Sequence, residues 1–345
     1  MGNGGSMDNK WQEGFEARGG QFEGVAVCFA DVATELERME SGAFLSPLAA
    51  FRLIKVSGED TSAFLQGQLS SDIREVTPVH SQYSTYSTAK GRMLANFLVW
   101  QYRDDYFLMV SADIADAIVR RLSMFVLRSK VKLELLDGEW HLLGGMGGDV
   151  ESWLAKYVAI PRAVHEVASA GDVVLIRLPS GALLAALSEP VREDVMAAMP
   201  DLALIGSASW LLRDIRAGIA WVTATTRELF VPQMANMDKI GAISFRKGCY
   251  PGQEIVARTE YLGKVKRRLY RAEVAGEAAA GDPLFIPSMG EQVIGHVVNT
   301  VKLSNGKNEC LVVAQEAGWE ESIHLKGIDG PILTQLLLSS HDIRE

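Results

Sequence analysis

Cysteine is scarce: only Cys28, Cys249 and Cys310 occur in the 345 residues. Their odd number and wide separation exclude a disulfide framework and a Cys-x-x-Cys metal site. A reducing compartment suits such a chain, and a cytoplasmic protein is expected. No run approaches the roughly 18 apolar residues of a membrane span, and the first residues lack the basic-then-apolar layout of a secretory signal. Six histidines, at positions 80, 141, 165, 296, 324 and 341, show no metal-ligand spacing, so no metal site is expected. With 48% hydrophobic and 22% charged residues, the composition excludes a disordered, collagenous or coiled-coil protein. What remains is a globular chain long enough for two or three domains.

The charge is unevenly spread. The whole chain carries 34 basic and 43 acidic residues, a net of −9, which argues against a surface devoted to gripping phosphates. Arg246, Lys247, Arg258, Lys264, Lys266, Arg267, Arg268 and Arg271 nevertheless stand together with only Glu254 and Glu260 among them, a local +6 against −15 for the remainder. Such an island suits an anionic ligand: a carboxylate tail, a phosphate or a short piece of RNA. Equally, it fits a solvated strand with its charges pointing outward.

Periodicity outlines the fold. Residues 51–56 read as a strand and lead into a helix bearing Ala63, Phe64 and Leu65. Strands follow at 82–87, 93–102 and 106–110, separated by the turns Lys90-Gly91 and Arg103-Asp104-Asp105. A helix capped by Ser111 is expected next, with Ile118, Leu122, Phe125 and Val126 as its apolar stripe, before a strand over 131–136. The order β-α-β-β-β-α-β indicates an α+β fold related to the split βαβ sheet. Residues 140–199 echo that order, which suggests a second copy. Beyond Lys264, short strands at 268–274, 283–287, 292–301 and 310–315 alternate with glycine turns, as in a small antiparallel barrel. The first 45 residues form an N-terminal segment, of which Met1 to Ser6 is set aside as a glycine-rich remnant or early alternative start. Residues 46–262 form two α+β lobes, and residues 263–345 the barrel.

The most unusual stretch is Lys247-Gly248-Cys249-Tyr250-Pro251-Gly252-Gln253-Glu254. Pro251 suits the first position of a helix, which places Cys249 at or just before the positive end of a helix dipole, beside Arg246 and Lys247. That setting favours a thiolate and suits a nucleophilic, redox-active or metal-binding cysteine. A small buried cysteine in a glycine turn is the plain alternative. Cys28, in the apolar run 25–29, and Cys310 are expected to be packing residues.

These eight residues closely resemble the K-G-C-[FY]-x-G-Q-E signature of the YgfZ-type folate-binding proteins, relatives of the aminomethyltransferase (T-protein) of glycine cleavage. Further segments resemble the same family: residues 64–69 with Asp72, Lys90-Gly91-Arg92, residues 125–131, residues 213–218, and Pro232-Gln233 with Asn236. The resemblance spans roughly residues 50–272 and implies a three-lobed T-protein-like fold with a folate cavity and a C-terminal barrel. It also implies a tetrahydrofolate-dependent accessory role in assembling or repairing iron-sulfur clusters, including those of tRNA-modifying enzymes. Cys249 is then the reactive group, and Asn96, Lys247, Tyr250, Gln253, Glu254 and Arg258 are the expected folate contacts. Tetrahydrofolate is the expected cofactor, with a transient iron-sulfur cluster beside it. Iron-sulfur client enzymes are the expected partners, with tRNA contact through residues 246–271. T-proteins carry an acidic pair where this chain has Ala95-Asn96, and a G-Y-T-G-E stretch where it has Pro179-Ser180-Gly181-Ala182-Leu183. Glycine-cleavage catalysis is therefore not expected, because methylene transfer loses its acid-base and electrostatic help. A folate-dependent aminomethyl or methyl transferase and a tRNA-binding module are the alternatives.

Overall fold

Strand β1 (Phe51–Ser57) buries Leu53, Ile54 and Val56. Helix α1 (Thr61–Gln68) follows, then β2 (Gln82–Ser87), β3 (Met93–Tyr102), β4 (Asp105–Ser111), α2 (Ala115–Ser123) and β5 (Lys132–Leu135). The second run repeats this order element for element: β6 (Trp140–Met146), α3 (Gly148–Leu154), β7 (Val167–Ala170), β8 (Val173–Arg177), β9 (Leu183–Ser188), α4 (Glu189–Ala197) and β10 (Ala203–Leu204). The two sheets share one topology, β2-β3-β4-β1-β5 and β7-β8-β9-β6-β10, except that strand Phe44–Pro47 lies between β6 and β10 in the second.

The computed structural model describes residues 9–261 and 265–338. Met1 to Ser6, Lys264 and the expected boundary at 262 lie outside the described residues. The chain divides into two compact units. One holds the residues up to Phe64 with 74–82 and 97–210; the other holds 65–73, 83–96 and everything from Leu211. The first unit's core joins Trp11 and Phe15 to Leu143, Trp153, Leu175 and Leu187. In the second unit, α5 (Ser207–Arg216) completes itself and α6 (Gln253–Tyr261) precedes six antiparallel strands: β11 (Arg267–Ala275), β12 (Pro283–Phe285), β13 (Gly295–Lys302), β14 (Lys307–Gln315), β15 (His324–Leu325) and β16 (Leu333–Leu336). Their order, β15-β12-β13-β14-β11-β16, curls into a half-barrel, and a bridge from His324 to Ile332 draws its first and last strands together. Val274, Leu284, Val297 and Val312 fill its interior. No helix among the described residues is long and apolar enough to cross a membrane.

Three local expectations are corrected. Helix α2 ends at Ser123, and Ile118 and Leu122 are buried, whereas Phe125 is exposed. The apolar stripe stops short because Leu127 takes a left-handed backbone, which the helix cannot contain. Ser111 belongs to β4, and the cap position of α2 is Ile114, with no side-chain bond to the helix start. Cys28 is exposed, because the strand Ala26–Cys28 is part of a two-stranded hairpin and turns only Val27 inward.

Two histidines of the first unit are shielded from water, His141 buried and His165 partly buried. His141 stacks on Trp11 with centroids 4.9 Å apart and lies 3.2 Å from the buried Arg192 guanidinium, so its Nε2 is an acceptor. Burial pushes its pKa down to about 4, and burial together with His80 does the same to His165. In the unfolded chain both titrate near the usual histidine value, so between pH 6.5 and 4 the unfolded state binds more protons and stability is lost as the pH is lowered. We expect a loss of roughly 2 kcal/mol per histidine between pH 7.5 and pH 5. Urea unfolding at a series of pH values checks this, and His141→Phe flattens the profile if the assignment is right.

Candidate functional site

The thiol of Cys249 stands on a crest between two buried anchors. On one side Lys247 is buried and donates from Nζ to the carbonyls of Leu69 at 2.7 Å and Ser71 at 2.8 Å. On the other, Tyr250 is buried, its ring 5.2 Å below the Lys247 ammonium, and burial pushes its hydroxyl up to about 12. Gly248 and Cys249 between them are exposed. The seat of Lys247 is itself fixed: Ser70 donates from Oγ to the Ala242 carbonyl at 2.6 Å, and the Ser244 amide donates to the Ser70 carbonyl at 2.9 Å. Charge-assisted bonds to two buried carbonyls are stronger than neutral ones, so the lysine acts here as a clamp.

The start of α6 is held just as closely. Gly252 has φ +83°, and a Cβ there would lie 2.6 Å from the Thr88 carbonyl oxygen and 2.7 Å from the Gly91 Cα. The turn of residues 88–92, closed by the Gly91 amide on the Thr88 carbonyl, therefore meets the helix start backbone to backbone. From below, Gln233 donates to the Val256 carbonyl at 2.6 Å. Because Gly252 is left-handed, the helix begins at Gln253 and not at Pro251 as its sequence suggests, and Cys249 lies four residues ahead of it. Gln253 is half-buried and reaches back to the Lys247 carbonyl at 3.4 Å, whereas Glu254 and Arg258 are exposed on successive turns.

Asn96 serves a different place in the same unit. It is 1% exposed; its Nδ2 donates to the Ala220 carbonyl at 2.9 Å and its Oδ1 accepts from the Val222 amide at 2.8 Å. Asn299 grips the other edge of this segment, accepting from the Trp221 amide and donating to its carbonyl. Each asparagine stands in for a neighbouring strand, so the Ala220 carbonyl, both Trp221 backbone groups and the Val222 amide are satisfied although these residues belong to no sheet. The segment leaves α5 through Gly218, where the amides of Gly218 and Ile219 bond back to Ile215 and Asp214.

A feature of α5 that sequence reasoning did not single out is the buried pair Arg213–Asp214, at 2.7 Å, with Asp214 also accepting from Trp221 Nε1 at 2.9 Å. Burial raises the Asp214 carboxyl above its ordinary range, opposed by the attraction of Arg213. Adjacent Arg and Asp in a helix ordinarily read as a solvated face; the available signal was their place among Trp210, Leu211, Leu212 and Ile215.

Two cations of the basic island are neutralised by carboxylates from elsewhere in the chain. Arg268 pairs with Asp238 at 2.8 Å, Arg271 with the buried Glu309 at 2.6 Å, and Arg267 donates to the Val293 carbonyl. Arg246, Arg258 and Lys266 are exposed. Cys310, buried in β14, is held up at about 11 by burial and is inert beside Cys249.

Among the described residues no cluster of three His, Cys, Asp or Glu side chains is able to hold a metal ion. Of the residues the resemblance assigns to folate, Asn96 and Lys247 already bond to main-chain groups, so a ligand bond at either adds to an existing set. Arg258 is exposed, with no ion-pair partner among the described residues, and suits an anionic tail.

The pattern of the GCVT N-terminal domain family matches residues 10–168. A curated relative from Sodalis glossinidius, named tRNA-modifying protein YgfZ, is 32% identical over 272 residues, covering 76% of this chain and 82% of its own. A relative of the same name from Klebsiella pneumoniae is 30% identical over 273 residues, covering 76% and 82%. Among solved structures, the glycine cleavage system aminomethyltransferase T from Bartonella henselae superimposes with a TM-score of 0.75 at 17% identity, over 96% of this chain and 97% of that one.

Proposed function

Because the chain belongs to the family of YgfZ tRNA-modifying proteins, we propose that it is a tetrahydrofolate-binding accessory protein for the assembly or repair of iron-sulfur clusters, those of tRNA-modifying enzymes included. Cys249 is its reactive group. The observation that carries this reading is an exposed thiol held on a loop fixed on both flanks by buried contacts. A loop so anchored presents one side chain to a partner at a defined place, which a packing cysteine does not require. One thiolate supplies only one of the ligands a cluster needs, so a cluster touching Cys249 takes the others from the client enzyme.

Tetrahydrofolate, when bound, supplies a reduced, oxidisable pterin and nitrogens that carry one-carbon units. In this reading Arg258 meets its glutamate tail, Lys247, Tyr250, Gln253 and Glu254 lie near that end, and Asn96 contributes from its own place beside residues 220–222. Ala95-Asn96 provides no carboxylate, so glycine-cleavage aminomethyl transfer is not part of the proposal. Arg246 and Lys266 remain for contact with tRNA, a smaller patch than the count of charges along the sequence suggests.

The test uses Cys249→Ala. In a strain lacking the native gene, the variant is expected to fail to restore cluster-enzyme activity and the dependent tRNA modification, with an unchanged melting temperature. Restoration to the wild-type level removes the thiol from the mechanism. Anaerobic calorimetry with mono- and triglutamylated tetrahydrofolate is expected to show saturable binding, tighter for the triglutamate and the same in Cys249→Ala; no binding by either protein removes the folate.

A further inference from the structure

Segment 120–132 reads Arg-Arg-Leu-Ser-Met-Phe-Val-Leu-Arg-Ser-Lys-Val-Lys: five cations and no anion on a chain of net charge −9. Lys130 pairs with Glu59 at 2.6 Å and Lys132 with Glu134. Among the described residues no carboxylate pairs with Arg120, Arg121 or Arg128. Between these arginines the chain holds its apolar side chains outward: Met124 is 63%, Phe125 43% and Leu127 87% exposed. Leu127 has φ +48°, a backbone region that a branched alkyl residue enters only at a cost. Beside it runs an open groove of about 890 Å³ lined by Asp60, Ala63, Phe64, Leu127, Arg128 and Ser129. The one carboxylate in its lining, Asp60, already accepts from the Lys130 amide at 2.7 Å.

Three large apolar side chains in four residues, rimmed by unpaired arginines, are what a protein interface core and rim require. Bases stack on exposed aromatic faces, and here Phe125 offers one while Phe64 in the groove lining is buried; Met124 and Leu127 offer flexible alkyl and thioether surface suited to the apolar stripe of a helix. The arginines select negative charge around that stripe. We propose that the Met124–Arg128 loop and the adjoining groove are a docking surface for a protein partner that presents an amphipathic helix with aspartate or glutamate flanking its apolar side chains. The surface lies in the first unit and stands independently of the thiol reading.

The test is fluorescence anisotropy on the full chain with three probes. These are a leucine-faced helical peptide of about five turns with a glutamate polar face, the same peptide with a lysine polar face, and an oligo-uridylate. The glutamate peptide is expected to bind saturably, and the lysine peptide not. Leu127→Ser and Arg128→Glu are each expected to weaken the glutamate peptide about tenfold or more, with melting temperatures unchanged because both side chains are exposed. Cys249→Ala is expected to bind as wild type does. Failure of the glutamate peptide to bind, or equal binding by Leu127→Ser, overturns the proposal. So does tighter binding of oligo-uridylate that responds to Arg128→Glu but not to Leu127→Ser, which marks a nucleic-acid surface instead.

Discussion

Asp214→Ala is expected to destabilise the second unit by about 3–5 kcal/mol, the range for removing one partner of a buried ion pair. The loss has two parts. Arg213, buried at 7% exposure, loses its bond to the Asp214 carboxylate, and Trp221 Nε1 loses its acceptor. The same reasoning gives an internal control. Replacing both members at once, as Arg213→Met with Asp214→Leu, removes the charges together and is expected to cost far less than the single change, since a hydrophobic pair of similar volume avoids the desolvation penalty. Urea unfolding followed by tryptophan fluorescence checks both. A single variant within about 1 kcal/mol of wild type would falsify the view that this pair is a buried, mutually dependent unit.

Gly252→Val is expected to have the next largest effect, and the more informative one. A left-handed backbone costs a residue with a Cβ about 1–2 kcal/mol, and forcing atoms into a filled space about 1–3 kcal/mol more. Both costs apply, because the nearest neighbours at 2.6 and 2.7 Å are backbone atoms of residues 88 and 91, which cannot rotate away. The turn of residues 88–92 and the start of α6 must separate, and the Cys249 crest moves with them. A loss of about 2–5 kcal/mol is expected, together with a changed rate of Cys249 alkylation by a bulky maleimide. Gly248→Ala, where a Cβ meets nothing within 4 Å, is expected to leave both nearly unchanged. Equal behaviour of the two variants removes the clamp from the account.

The doubled β-α-β-β-β-α-β order was legible because each strand is bounded by a turn signal and each helix carries an apolar stripe, and these are local properties. The half-barrel strands were legible for the same reason. What was not legible depends on distant partners. Strand Phe44–Pro47 is buried throughout but too short to declare itself. Phe125 continued a helical period that the left-handed Leu127 interrupts. At the candidate site, the sequence motif marked Cys249 and its glycines, but the role of Lys247 as a clamp rests on carbonyls nearly 180 residues away. Arg268 and Arg271 counted as free charge until Asp238 and Glu309 were seen beside them. Counting charges along a chain overstates the field wherever the counter-ions arrive from elsewhere in the sequence.

Strand Phe44–Pro47 has a consequence for biosynthesis. Its antiparallel neighbour pairs Phe44 with Met146, and its parallel neighbour pairs Phe44 with Ala203. On the ribosome the strand emerges first and waits for both partners, roughly 5–20 s for the nearer one at ordinary elongation rates. During that interval an apolar strand with two open edges is unpaired. Nascent chains arrested after the first β-α-β-β-β-α-β copy and before residue 140 are therefore expected to aggregate more readily than the full chain. Slowing translation lengthens their exposure, and a circular permutation that begins the chain at residue 138 places both partners ahead of the strand and removes the wait.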